Sequence, residues 1–262
     1  MVLRLSKLCF GYEGKNLVGP IEAEFTCGRL NLVVGRSGSG KSTLLKVLSG
    51  FHKNYSGAIL FENEPFEPLG KVALVFQNPE SVFFNDSVFK EIAFPLYENN
   101  EKEELIKEQV YEWMNKWGLK PEEFENKNPF ELSGGEKRRV ALAACTILKP
   151  NIILLDEPLA GLDLDGQRDL ARIILSLSEK QIIVVVTHEP EVLMRATSSI
   201  LFLNADNRTM SSQEFLRRAL EEPEFYPIPE WYREAVSSFS RGCDLPMVLP
   251  MEVAEFIKRE KK

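Results

Sequence analysis

The chain has 262 residues, 44% hydrophobic and 27% charged, enough for one large α/β unit plus a small appendage. Its formal net charge of −7 argues against a general nucleic-acid binder, which would carry a basic face. No apolar run reaches the roughly 18 residues of a membrane-spanning helix, and the amino terminus (Met1-Val2-Leu3-Arg4-Leu5) alternates like a strand rather than a secretory signal.

Residues 1 to 30 place Leu3, Leu5 and Leu8, then Ile21, Ala23 and Phe25, in alternation with polar residues. That predicts antiparallel strands turning at Glu13-Gly14 and Cys27-Gly28. Tyr12 precedes the first glycine-rich loop; an aromatic there could stack on a nucleotide base or pack within a sheet. The four cysteines (Cys9, Cys27, Cys145 and Cys243) have neither zinc nor redox spacing and read as small buried hydrophobes in a reducing compartment.

The run Leu30-Asn31-Leu32-Val33-Val34 reads as a buried strand, and Leu44-Leu45-Lys46-Val47-Leu48 as the start of a helix. Between them lie Gly35, Arg36, Ser37, Gly38, Ser39, Gly40, Lys41, Ser42 and Thr43. This is the strand–loop–helix setting of a phosphate-binding loop. Glycines let backbone N–H groups turn onto an anion, and the helix amino terminus adds a positive dipole end. Lys41 can reach the β and γ phosphates, and the Ser42 hydroxyl can ligate Mg²⁺.

Further on, Ser56 to Phe61 returns to strand pattern, and Val72-Ala73-Leu74-Val75-Phe76 reads as a strand buried on both faces. It leads into Gln77-Asn78-Pro79, where the Gln77 amide oxygen could ligate Mg²⁺, hold a water or simply face solvent. From about Asp86 to Lys149 the pattern is helical. Leu105, Ile106, Gln109, Val110, Trp113, Met114 and Trp117 recur on one side, which makes both tryptophans core residues. Ser133-Gly134-Gly135-Glu136 then opens a helix, either as a second anion-binding tip or as a capping box. Four apolar residues, Ile152 to Leu155, run into Asp156 and Glu157. Such a strand ends at the active edge of a parallel sheet, with one carboxylate for a Mg²⁺ shell and the other for a water. Ala160 to Asp163 opens another helix. Ile182 to Thr187 is a buried strand with His188 at its end, and Ile200 to Leu203 closes the sheet. Beyond Asn204, prolines punctuate short helical pieces at Ser212–Leu220, Glu230–Ser240 and Met251–Lys261.

Taken in order, Gly35 to Thr43, Gln77, Leu132 to Glu136, Ile152 to Glu157, Gly161 to Asp163 and His188 resemble the nucleotide-binding subunit of ABC transporters. The resemblance covers residues 1 to about 205. It implies an α/β fold: a P-loop NTPase (RecA-like) core with an antiparallel β subdomain and a helical subdomain at about 86–149. Residues 206–262 are left as a C-terminal helical extension. It further implies a head-to-tail dimer that holds two ATP molecules with Mg²⁺. In that scheme Tyr12 stacks on adenine, and residues 35–43 with Gln77 bind ATP. Ser42, Gln77 and Asp156 face the metal, Glu157 is the catalytic base and His188 the switch. Ser133, Gly134, Gly135 and Asp163 meet the partner chain's nucleotide.

A narrower resemblance is to the ATPase component of energy-coupling factor (ECF) importers of vitamins and metal ions. It rests on Gln77 to Glu80 followed by Ser81 to Val88 and Glu91 to Phe94, on the Ala160-Gly161-Leu162-Asp163 turn, and on the tail around Phe239, Arg241 to Pro246 and Glu252 to Glu255. It implies attachment at the cytoplasmic face of the cell membrane, to a transmembrane coupling protein and a substrate-binding membrane protein. The partner ATPase is either a second copy or a paralogue. The rivals are an importer subunit that uses an extracellular binding protein, and an ABC-type ATPase outside transport. A chromosome or repair ATPase would need a long coiled-coil insertion between Lys41 and Ser133, where only about ninety residues lie. A translation factor of this kind usually carries two such domains.

Overall fold

The computed structural model describes residues 1–11, 18–98, 102–204, 206–222, 226 and 229. Tyr12, the Glu13-Gly14 turn, Cys243 and the helices expected at Glu230–Ser240 and Met251–Lys261 lie outside the described residues. In chain order come β1 (Val2–Phe10), β2 (Val18–Thr26), β3 (Leu30–Gly35), α1 (Lys41–Leu48), β4 (Tyr55–Phe61), β5 (Glu64–Pro65) and β6 (Val72–Val75). Four helices follow: α2 (Val88–Glu98), α3 (Glu103–Lys116), α4 (Pro121–Phe124) and α5 (Gly134–Thr146). The chain returns through β7 (Ile152–Asp156), α6 (Leu164–Ser178), β8 (Ile182–Val186), β9 (Thr197–Leu203), β10 (Arg208–Met210) and α7 (Ser212–Glu221).

Two sheets sandwich α1. The smaller, ordered β2-β1-β4-β5, is antiparallel. The larger, ordered β10-β9-β3-β8-β7-β6, is parallel except for β10. Period-two alternation splits each central strand between two cores. Ile152, Leu154, Ile182, Val184 and Val186 pack toward Leu44, Leu45 and Leu48 of α1 and the inner face of the small sheet. Ile153, Leu155, Ile183 and Val185 pack toward the helices on the opposite side. Strands buried on both faces run nearly all apolar, and β7 and β8 carry no polar residue before their carboxyl ends.

Three expectations shift. First, β6 is an edge strand, so Val72 and Leu74 are only half-buried while Ala73 and Val75 are covered. Second, Leu105 is exposed; the buried stripe of α3 is Ile106, Val110, Trp113 and Met114. Trp117, just past the helix, is fully buried, and Trp113 Nε1 donates to Thr146 Oγ1 at 3.0 Å. Third, β9 does not end the sheet: β10 pairs antiparallel with it, and Thr209 Oγ1 donates to the Glu22 carbonyl at 3.2 Å. Next, α7 lays Phe215, Leu216 and Ala219 into the core, with Phe215 and Phe202 rings 5.9 Å apart. Cys9, Cys27 and Cys145 are free, half-buried thiols; burial pushes Cys145 up to about 11, which keeps it a thiol at neutral pH.

The parallel register brings five strand ends to one edge. Val33 and Asp156 both pair with Val186, Gly35 pairs with Leu203, and Val75 with Leu155. Loops leaving that edge therefore converge, which is where ligands bind in open α/β sheets.

Candidate functional site

The loop between β3 and α1 has Gly38 at φ +79° and Gly40 at φ +97°, a region that residues with a Cβ enter at a cost. A Cβ on Gly38 would meet nothing within 4 Å, so the backbone there stands open to a ligand. Gly40 precedes α1 without any side-chain cap, leaving the first helical N–H groups for an anion. Lys41 is buried, and its Nζ donates to the carbonyls of Gly35 at 2.8 Å and Arg36 at 3.0 Å. Burial lowers its pKa, opposed by the charges of Glu157 and Asp156.

These groups line a cavity of about 730 Å³ together with Phe10, Gly11, Val18, Gln77, Asp156, Glu157, Val186 and His188. From the loop and the start of α1, Ser37, Gly38, Gly40, Lys41, Ser42 and Thr43 line it. The glycine-rich loop, both carboxylates, the glutamine and the histidine thus meet in one place, although 151 positions separate Ser37 from His188 (188 − 37).

Glu157 sits on strained backbone at φ +49°, held by its N–H donating to the Val186 carbonyl at 2.9 Å. Its Oε2 accepts the His188 N–H at 3.2 Å, while Oε1 is buried without a hydrogen bond and lies 3.4 Å from His188 Nε2. Burial raises its pKa, partly offset by His188. A buried carboxylate oxygen with no hydrogen bond is costly unless something else meets it. The imidazole of His188 is 51% exposed at the rim.

Ser133, Gly135 and Asp163 do not enter that cavity. With Glu136, Gly161 and Leu162 they line a second one, of about 600 Å³. The capping box is formed: Ser133 Oγ accepts the Glu136 N–H at 3.4 Å, and Glu136 Oε2 accepts the Ser133 N–H at 2.8 Å. Those bonds hold the Glu136 carboxyl below its ordinary pKa. Capping uses only an acceptor of Ser133, so its hydroxyl proton stays free for another ligand. Gly134 carries nothing within 4 Å of a would-be Cβ. Asp163 caps α6, accepting the Gly166 N–H at 2.8 Å.

Sequence reasoning missed Arg138. Its guanidinium is buried and donates to the carbonyls of Pro158 at 2.9 Å, Ala160 at 2.6 Å and Gln77 at 3.1 Å. One side chain on α5 thereby ties the glutamine loop to the turn after Glu157. The signal was an arginine one turn into a helix whose neighbours, Val140 to Ala143, are apolar.

Glu191 was also unremarked. It lies in a short 3-10 turn (Pro190–Val192), and burial pushes its carboxyl up to about 7 from 4.5. A folded-state pKa above the unfolded value means stability falls as pH rises between those two values. At pH 8 the cost is on the order of 3 kcal/mol. Glu191→Gln should therefore raise the melting temperature at pH 8 and leave it unchanged at pH 4. A gain of equal size at both pH values would contradict the burial argument.

A family model described as ABC transporter matches residues 18–160. A Pyrococcus horikoshii protein, provisionally named an ABC transporter ATP-binding protein, is 38% identical over 82% of this chain and 87% of its own length. The energy-coupling factor transporter ATP-binding protein EcfA2 of Thermotoga maritima is 35% identical over 76% of each chain. In the solved structures, cbiO1 of Clostridium perfringens, described as part of the ABC transporter complex cbiONQ, superposes with a TM-score of 0.73 at 26% identity. That match covers 85% of this chain and 96% of cbiO1. An ATP-binding cassette solved as a dimer with ADP and Pi has the same fold, with a TM-score of 0.70 at 24% identity, over 80% of this chain and 98% of its own.

Proposed function

The chain belongs to the ATP-binding subunits of ABC transporters, and on that premise we propose that it powers an ECF-type importer, hydrolysing ATP to ADP and phosphate to drive uptake of a vitamin or metal ion. ATP binding and hydrolysis come with the family. The importer type is supported by EcfA2 relatives at 35–40% identity and by cbiO1 as a structural neighbour. The observation that carries the catalytic reading is Glu157 Oε1, buried and unbonded in the same cavity as Lys41.

In this reading residues 35–43 cradle the phosphates, with Lys41 turning its ammonium from the Gly35 and Arg36 carbonyls onto them. Ser42, Gln77 and Asp156, which share the cavity, offer the hard oxygen donors that suit Mg²⁺. When bound, Mg²⁺ neutralises charge on the β and γ phosphates. Glu157 takes a proton from water as the water oxygen bonds to the γ phosphorus and the bond to the leaving ADP oxygen breaks. A raised pKa makes it a better base at neutral pH. His188, at the cavity rim, contacts the γ-phosphate. Tyr12 stacks on adenine, a role supported by Phe10 and Gly11, which lead into it and line the cavity.

Ser133, Gly134, Gly135 and Asp163 complete the nucleotide site of a second ATPase chain, identical or paralogous. Two incomplete cavities on one subunit support that arrangement. Among the described residues no helix is long and apolar enough to cross a membrane, so the proposed seat is peripheral, on a transmembrane coupling protein at the cytoplasmic face, alongside a substrate-binding membrane protein. Phe84 is 62% exposed and packs edge-on against exposed Phe94 at 4.7 Å, which supports an apolar docking surface there. Phe83 contributes to the core instead, 6.0 Å from Phe130. The proposed domain division sets 1–205 as the ATPase domain and 206–262 as an extension, of which β10 and α7 complete the sheet and core of that domain.

Lys41→Ala should weaken ATP binding roughly 10- to 100-fold, the value of charge-assisted hydrogen bonds to phosphate; unchanged affinity by calorimetry would remove the phosphate-loop assignment. Purification from native membranes should return two integral membrane proteins, with a second ATPase beside them if the partner chain is a paralogue. Recovery with an extracellular binding protein instead would overturn the ECF assignment.

A further inference from the structure

Tyr226 comes from the proline-rich stretch after α7, yet it is 4% exposed. Its ring packs against Phe202 of β9 and Phe215 of α7, with centroids 5.9 and 5.1 Å away. Its hydroxyl donates to the backbone carbonyl of His188 at 2.9 Å. The His188 peptide is thereby gripped at both ends: its N–H by Glu157 Oε2 and its carbonyl by Tyr226. Neither bond uses the imidazole, which remains at the cavity rim.

We propose that Tyr226 is a positioning residue for the reaction, its hydroxyl fixing the His188 backbone so that the imidazole is held over the γ-phosphate end of the cavity. The inference rests on the reading of His188 given above. Two aromatic neighbours lock the phenol ring, so the hydroxyl is delivered at a set place rather than by a mobile side chain. Burial, with the carboxylates of Glu191, Glu157 and Glu189 nearby, raises the phenol pKa, so Tyr226 remains a donor at any working pH. Tyr226 thus ties the loop of His188, 38 positions earlier in sequence, to the aromatic seat formed by Phe202 and Phe215.

The test is a double-mutant cycle on the 262-residue chain, with hydrolysis normalised to ATP-binding-competent protein. Tyr226→Phe keeps the ring and removes the hydroxyl. It should lower kcat about three- to tenfold, the scale of one hydrogen bond, with KM for ATP changed less than about twofold. In a His188→Ala background the same change should alter the residual rate by less than about twofold, because the group it positions is gone. An unchanged kcat in Tyr226→Phe, or an equal fold-loss in both backgrounds, overturns the proposal while leaving His188 in its role. If His188→Ala alone hydrolyses ATP normally, the reading of His188 fails and this inference falls with it.

Discussion

Glu157→Gln is expected to cut ATP hydrolysis by on the order of 10²–10⁴-fold while sparing ATP binding. The substitution is nearly isosteric, so the cavity wall keeps its shape. A glutamine oxygen can still accept the His188 N–H that now goes to Oε2 at 3.2 Å. What disappears is the ability to take a proton. The effect should be large because the structure spends stability on this carboxylate: backbone at φ +49°, a buried side chain and an oxygen without a hydrogen bond. Strain of that kind persists where the surroundings over-determine it, as at reacting centres. With hydrolysis blocked, ATP should hold two ATPase chains together through the Ser133 tip of each. Single-turnover rates and light scattering with and without MgATP check both halves. Near-normal turnover would remove Glu157 as the base, and a protein that stays monomeric with ATP and every candidate sister ATPase would remove the shared-nucleotide arrangement.

Truncation after Asn204 should unfold the protein rather than trim it. The cut removes β10, which hydrogen-bonds to β9, and α7. It also strips Met210, Phe215, Leu216 and Tyr226 from the main core cluster. At about 1.5–3 kcal/mol per large buried side chain, those four represent roughly 6–12 kcal/mol. That rivals the whole 5–15 kcal/mol by which a typical domain is stable. The cut would further expose Phe202 and the edge of β9, a site for aggregation. A chain ending after Pro229 keeps all of these contacts and should melt cooperatively. Thermal unfolding of the two truncations decides it: a 204-residue form melting close to the full chain would show that β10 and α7 contribute little.

Much of the site was legible before any coordinates. The proposed phosphate loop announces itself because such a site needs glycines, lysine and serine at fixed spacing between a strand and a helix, and short-range spacing is what a sequence displays. Asp156 and Glu157 were visible for a related reason: they follow the unbroken apolar run of a strand buried on both faces. Ser133 and Glu136 displayed a capping box, which formed as expected. Glu191 and Tyr226 gave no such sign, and Arg138 only that of an arginine beside an apolar helical run. Their roles come from what lies opposite them, Gln77 being 61 positions from Arg138 and His188 being 38 from Tyr226.

The tail illustrates the same limit. Prolines and short helical runs after Asn204 read as an appendage because composition reports local stiffness, not docking. Whether Phe215 faces water or core depends on Phe202 waiting across the sheet edge, 5.9 Å away. The residue types and their local spacing alone determined that this chain carries a glycine-rich loop with lysine and serine between a strand and a helix, an acidic strand end and a serine-glycine helix tip. Only the folded chain decided that loop and acids share one cavity while the serine tip lines another, and that the histidine is gripped from the far end of the chain. The physical reason is that strand register sets which distant loops converge, and register is fixed by burial on both sheet faces rather than by any single segment.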